Sequence, residues 1–160
     1  MSRFHHLLVP IDGSPTADKA LDEAIRLARG SGAKITLLHV MDALVYMTGF
    51  ESGTRYAEEI LPRMRSAGEN LLALAGQKVL AQGLQVECIL ITEGPGRVFE
   101  HVADHARNND VDLIVLGSHG RRGIGRALMG SDAEQIIRHA PVPVLVVRGD
   151  DSPDQPALSF

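Results

Sequence analysis

Val111-Asp112-Leu113-Ile114-Val115-Leu116-Gly117-Ser118-His119-Gly120 and, after nine more residues, Gly130-Ser131 form the stretch that decides the fold. The run from Val111 to Leu116 is apolar and β-branched, which reads as a buried strand. It ends in glycine, and a helical pattern follows over about 131–139. Glycine lets the main chain approach a ligand closely, and a helix start offers bare N–H groups together with a favourable dipole. The junction is therefore a candidate phosphate cradle. By the same reasoning, a bulky residue at Gly130 is expected to fill phosphate space or to force an unfavourable backbone.

The spacing decides which kind of cradle it is. A P-loop needs G-x-x-x-x-G-K-[ST], and no lysine occurs between Gly117 and Ser131. A dinucleotide fingerprint needs G-x-G-x-x-G, but Gly123-x-Gly125 is followed at the required place by Leu128. What remains is G-x-x-G, nine residues, then G-S.

Outward from this stretch the chain alternates strand and helix. Apolar runs at about 5–11, 33–40, 84–92, 111–117 and 142–148 predict strands. Helical spacing fills the gaps. Ser14 is a candidate N-cap with Pro15 at the first helical position, Ala17, Ala20, Leu21, Ala24, Leu27 and Ala28 form one stripe, and Gly30 and Gly32 end it. Further helices are expected over about 55–82, 97–108 and 131–139. Parallel returns require crossovers, so the pattern predicts an α/β domain: an open parallel sheet with helices on both faces. Ligands of such sheets bind beyond the strand C-termini where the strand order reverses, and Asp12, Val40 and Gly117 sit at predicted strand ends.

The 160 residues suit one domain that needs no disulfide or metal staple. Cys88, the single cysteine, lies in the apolar run Val86 to Ile91 and is expected to be a buried small hydrophobe. A net charge of −4 argues against a nucleic-acid partner, because a phosphate backbone needs a basic face. Met1 to His6 lacks a signal-peptide core and no apolar run approaches the ~18 residues of a membrane span, so no membrane partner and a cytoplasmic location are expected.

The G-x-x-G-(nine)-G-S spacing is similar to the nucleotide motif of the ATP-binding branch of the universal stress protein family. The resemblance extends to Val9-Pro10-Ile11-Asp12-Gly13-Ser14, Leu38-His39-Val40 and Ala140-Pro141-Val142-Pro143-Val144-Leu145-Val146-Val147, and covers roughly 3–148. It implies five strands in the order 3-2-1-4-5, so that Asp12 and the Gly117 loop are neighbours. It also implies ATP as ligand, with Mg²⁺ accompanying the phosphates. Pro10, Ile11 and Asp12 would line the adenosine end and Val40 would present backbone groups to adenine. Leu116, Gly117, Gly120, Gly130, Ser131 and Asp132 would surround ribose and phosphates. Residues 1–148 are then the nucleotide-binding domain, and the acidic, Pro-rich 149–160 a flexible tail.

Each element also has a plainer interpretation. Asp12 reads equally as a turn residue before Gly13, and Gly94-Pro95-Gly96 as a turn. A carboxylate at Asp132 suits an empty helix start but repels phosphate unless the residue contributes only its backbone or faces away. Arg121, Arg122 and Arg126 either offset phosphate charge or are solvated, and His119 has no partner at ligand spacing to make a metal site. The 41–54 segment is long for a connection and reads as a lid, a partner surface or packing over the sheet.

Three functional classes follow. One is an ATP-binding regulatory or stress-response protein. The second is a slow ATP hydrolase, disfavoured because no S-G-G-x-D-S loop, no H-x-G-H motif and no nucleophile–base pair is encoded. The third is a nucleotide-free dimeric interaction module, disfavoured by the glycines. Pro143 suits a sheet-edge strand, and the apolar Val142 to Val147 run is expected to pair with a second copy in a homodimer.

Overall fold

In a computed structural model that describes residues 4–42, 52–92, 94–119 and 129–149, five strands form one parallel sheet: β1 (His6–Pro10), β2 (Lys34–Val40), β3 (Val86–Ile91), β4 (Leu113–Gly117) and β5 (Val144–Val147). Their order is β3-β2-β1-β4-β5. The helices are α1 (Pro15–Ser31), a short α2 (Gly53–Arg55), α3 (Leu61–Leu80), α4 (Val98–Asn108) and α5 (Ser131–His139).

Strand alternation divides the core in two. Leu7, Val9, Ile35, Leu37, Leu113 and Val115 face α1 and α3, meeting Leu21, Ile25, Leu72 and Val79. Leu8, Leu38, Ile114 and Leu116 face α4 and α5, meeting Val102, Ala106, Ala133 and Ile136. Each central strand is buried on both faces, which is why its sequence is a continuous apolar run rather than an alternating one.

Local chemistry sets the helix ends. The Ser14 hydroxyl accepts the Ala17 N–H at 3.2 Å, Pro15 follows it, and Gly32, at φ 71°, closes α1 in the left-handed conformation. Gly30 lies inside the helix rather than ending it. Within the predicted 55–82 helix, Tyr56–Ile60 is wound as a π-helix in front of α3. Pro62 follows this wide turn, and it has no N–H to give the usual i−4 carbonyl.

Gly76 and Gly68 bring α3 close to the sheet. A Cβ on Gly68 would sit 2.8 Å from Leu90 Cδ1, and one on Gly76 would sit 3.0 Å from Cys88 Sγ. Cys88 itself is exposed, contrary to the sequence expectation. Its strand, β3, is an edge of the sheet, so only the thiol's inner side is covered, by Gly76 and the Leu72 carbonyl at 3.6 Å. Burial of that side pushes the thiol pKa up, a shift away from thiolate reactivity.

Candidate functional site

The strand order reverses between β1 and β4, and a cleft opens there beyond the strand C-termini. It encloses about 1140 Å³ of empty space, its open mouth included. Pro10, Ile11, Asp12, Val40, Leu116, Gly117, Gly130, Ser131 and Asp132 all line it. Of the ten candidate residues, only Gly120 lies outside the described residues, as do Arg121, Arg122 and Arg126 and most of the 41–54 segment.

One wall is the end of β1. The Ile11 N–H continues the ladder to the Leu38 carbonyl at 2.9 Å. The Ile11 carbonyl, which the next rung would use, accepts Nδ1–H of the buried His39 at 2.7 Å instead. Val40 lies two residues beyond Leu38 and presents its backbone on the same side, past the end of β1 and at the cleft. Asp12 accepts the Ser14 N–H at 2.9 Å, and Gly13 at φ 83° makes the turn. Asp12 is thus the local turn residue of the plainer interpretation and a cleft residue as well.

The opposite wall joins four elements at two consecutive residues, Ser118 and His119. Ser118 donates its N–H to Val147 at the end of β5 (2.9 Å), and its carbonyl accepts the Gly130 N–H (2.8 Å). The Thr16 hydroxyl donates to the His119 carbonyl. Gly117 has no room for a side chain, since a Cβ would lie 2.7 Å from the Thr16 carbonyl carbon and 2.9 Å from the Ala17 nitrogen. Gly117 is therefore required for the approach of β4 to α1, a packing demand that stands beside the ligand approach expected from sequence.

Gly130 is the N-cap of α5, at φ −60° and ψ 149°, a conformation open to any residue. The expectation that its backbone demands glycine does not hold. Having no side chain, it leaves the first turn of α5 without a side-chain cap. That turn, at Ser131, opens on the cleft, so first-turn N–H groups that helix geometry cannot satisfy face a space able to hold an anion.

The cleft floor is apolar. Leu38, Met64, Val102, Leu116, Ala133 and Ile136 are all at most 5% exposed and line it. Sequence reasoning placed these side chains in helix or strand patterns but did not assign them to the site. Val98 was missed in the same way; Met41 and Asp42, read only as part of the 41–54 segment, and His119, weighed only as a metal ligand, line the cleft as well. Position in the three-residue and four-residue repeat tells which face of a helix is buried, and only the sheet order tells which end of the sheet that face overhangs. Among the described residues, no group of three or more His, Cys, Asp or Glu side chains is placed to hold a metal, and no helix is long and apolar enough to cross a membrane.

Residues 3–148 match the model of the universal stress protein family. The chain belongs to that family. Universal stress protein YxiE of Bacillus subtilis (strain 168) is 33% identical over 150 residues, covering 91% of this chain and 99% of YxiE. Among solved structures, universal stress protein UspA from Lactobacillus plantarum superposes with a TM-score of 0.76 at 25% identity, over 92% of this chain and 100% of UspA. Hypothetical protein MJ0577 does so with a TM-score of 0.81 at 26% identity, over 93% and 99%. The fold is also shared by two nucleotide complexes. The universal stress protein from Archaeoglobus fulgidus in complex with dAMP has a TM-score of 0.61 at 22% identity, over 92% of this chain and 99% of its own. An Arabidopsis thaliana family protein with AMP bound has a TM-score of 0.65 at 18% identity, over 92% and 93%. The strand order implied by the universal stress protein resemblance is the order this chain has.

Proposed function

We propose that this universal stress protein binds an adenine nucleotide, ATP with Mg²⁺, in the cleft between β1 and β4 and that nucleotide occupancy regulates what it contacts. The observation that carries the proposal is the meeting, in one cleft, of the Val40 backbone and the uncapped start of α5. Adenine offers a donor and an acceptor along one edge, which suits a backbone N–H and C=O pair such as that of Val40. The apolar floor suits the base, and the α5 N-terminus and the Ser131 hydroxyl suit phosphate. Pro10, Ile11 and Asp12 flank the adenosine end in this proposal, with Leu116, Gly117, Gly120, Gly130, Ser131 and Asp132 around ribose and phosphates. The dAMP and AMP complexes of family members with this fold support the ligand class.

Charge supports the role of the metal. The described residues lining the cleft include Asp12, Asp42 and Asp132 and no lysine or arginine. Mg²⁺ borrows few protein ligands and usually arrives with the phosphates. ATP is therefore expected to bind more weakly in EDTA, while AMP changes less. Denaturing the purified protein and identifying the released nucleotide, followed by calorimetry with ATP and AMP, tests the proposal. A protein that neither carries nor takes up an adenine nucleotide would sink it. With no P-loop lysine encoded, turnover is expected to fall well below the ~10 s⁻¹ median of enzymes. Rapid multiple-turnover phosphate release, lost in Asp12→Ala, would instead favour a hydrolase.

A further inference from the structure

His39 stands one residue before the end of β2 and is buried. Its ring lies against α3. A Cβ on Gly68 would sit 3.0 Å from His39 Cδ2, so the helix glycine leaves the room that the imidazole fills. From that seat Nδ1 reaches the Ile11 carbonyl at 2.7 Å. A carbonyl only accepts, so Nδ1 carries a proton and the histidine is the donor.

What this bond displaces is a rung of the sheet. In a parallel ladder, a residue that gives its N–H to a carbonyl on the next strand receives, on its own carbonyl, the N–H two residues further along that strand. Ile11 gives its N–H to Leu38 at 2.9 Å, so the N–H due at the Ile11 carbonyl is that of Val40. The β1–β2 register ends at Pro10 and Leu38, and among the described residues Val40 does not make this bond. Strand β3 does not use the Val40 N–H either. Met41 gives its N–H to Ile91, so residues 39 and 41 face β3 while Val40 faces the side on which β1 has ended. Backbone N–H groups of a sheet interior are nearly always paired, and this one is left open where Val40 lines the cleft.

We propose that His39 is a positioning residue for the base: by occupying the Ile11 carbonyl it stops the β1–β2 ladder one rung short and keeps the Val40 N–H for a ring-nitrogen acceptor of the purine. This rests on the adenine-nucleotide proposal above, but the part played by His39 is a property of the protein without ligand and is read separately. His39→Leu removes the donor and lets the ladder close. His39→Thr does the same with a β-branched residue suited to a strand, should the apolar variant fail to fold. In His39→Asn the amide nitrogen lies two bonds from Cβ, as Nδ1 does, and keeps the donor.

Hydrogen exchange of the Val40 amide, followed by NMR without ligand, is the readout that a merely structural role would not move. Calorimetry with adenosine and AMP reports on the base, and thermal unfolding on the fold. In the wild type the Val40 amide is expected to exchange faster than that of Met41. In His39→Leu or His39→Thr its exchange should slow about tenfold, as for an amide that gains a ladder partner. Adenosine and AMP should both bind about tenfold more weakly in those variants, as for one lost hydrogen bond to the base. His39→Asn should match the wild type in exchange and in affinity. A wild-type Val40 amide as protected as that of Met41, a folded Leu or Thr variant with unchanged Val40 exchange or unchanged adenosine affinity, or an Asn variant that behaves like Leu overturns the inference while the cleft proposal stands. A wild-type protein that binds neither adenosine nor AMP removes the cleft proposal, and this inference with it, whatever the exchange shows.

Discussion

Two glycines of one motif have different physical reasons to be there. At Gly117 the missing side chain makes room for the backbone of Thr16, so Gly117→Ala forces a clash against main chain that cannot swing aside. A loss of about 1–3 kcal/mol is expected in urea unfolding, with or without nucleotide. At Gly130 the backbone accepts any residue, and what glycine withholds is a cap. Gly130→Asn would place a side-chain acceptor on the same first-turn N–H groups that are proposed to hold phosphate. Stability is expected to rise by a few tenths of a kcal/mol while ATP affinity falls, as measured by unfolding and calorimetry on the same preparation. A gain in stability without loss of affinity would mean that α5 does not hold the phosphate. Both glycines were legible in the sequence as a motif. Their separate reasons were not, because one depends on the distance to a helix that begins near residue 15 and the other on a φ angle.

At the scale of elements, what sequence showed best is what short-range chemistry sets. The Ser14-Pro15 start of α1 and the Gly32 stop lie where propensity and capping put them, and the five apolar runs are the five strands. The exposure of Cys88 could not be seen in this way, since the apolar character of its strand is common to edge and centre and only pairing separates them. The C-terminal end of α4 was also opaque. There His105 Nδ1 accepts from Asn109 Nδ2 at 3.3 Å, an arrangement that needs the neutral ring. Partial burial, opposed by the attraction of Glu87, holds the His105 pKa below its usual 6.5. As pH falls through about 6.5 the unfolded chain therefore takes up this proton before the folded chain does, and stability declines until the lower folded pKa is passed. Glu87 acts in a different window. Lys34, 3.0 Å away, lowers its pKa, so its contribution is present above about 4.5 and fades as pH falls through the folded value. Urea unfolding of His105→Gln is expected to show a shallower loss of stability than wild type as pH falls below about 6.5. Parallel pH curves would show that His105 is not held neutral.

At the scale of the whole molecule the open question is what covers the β5 edge. The Val144–Val147 strand pairs with β4 alone among the described strands, and its side chains are only half-buried. Pro143 stands just before it, at the strand start where a missing donor does no harm, as the sequence suggested. The bonding parity locates the free side. Pro143 and Val147 give their carbonyls to Ile114 and Ser118, so residues 143, 145 and 147 face β4 while the N–H and C=O groups of Val144 and Val146 point away from the sheet. An apolar edge with free backbone groups invites pairing, and the proposed partner is the same strand of a second copy about a two-fold axis. A charge at Val146 would not test this, because it would disturb folding and pairing alike. Val146→Pro is sharper, since it removes a donor on the free side and leaves every bond to β4 in place. Light scattering is expected to report a dimer for the wild type and for a chain lacking 150–160, and a folded monomer for Val146→Pro. A full-length wild-type monomer at micromolar concentration defeats the proposal. A Val146→Pro protein that remains dimeric places the interface elsewhere, because an antiparallel ladder between two β5 strands has no substitute for that N–H.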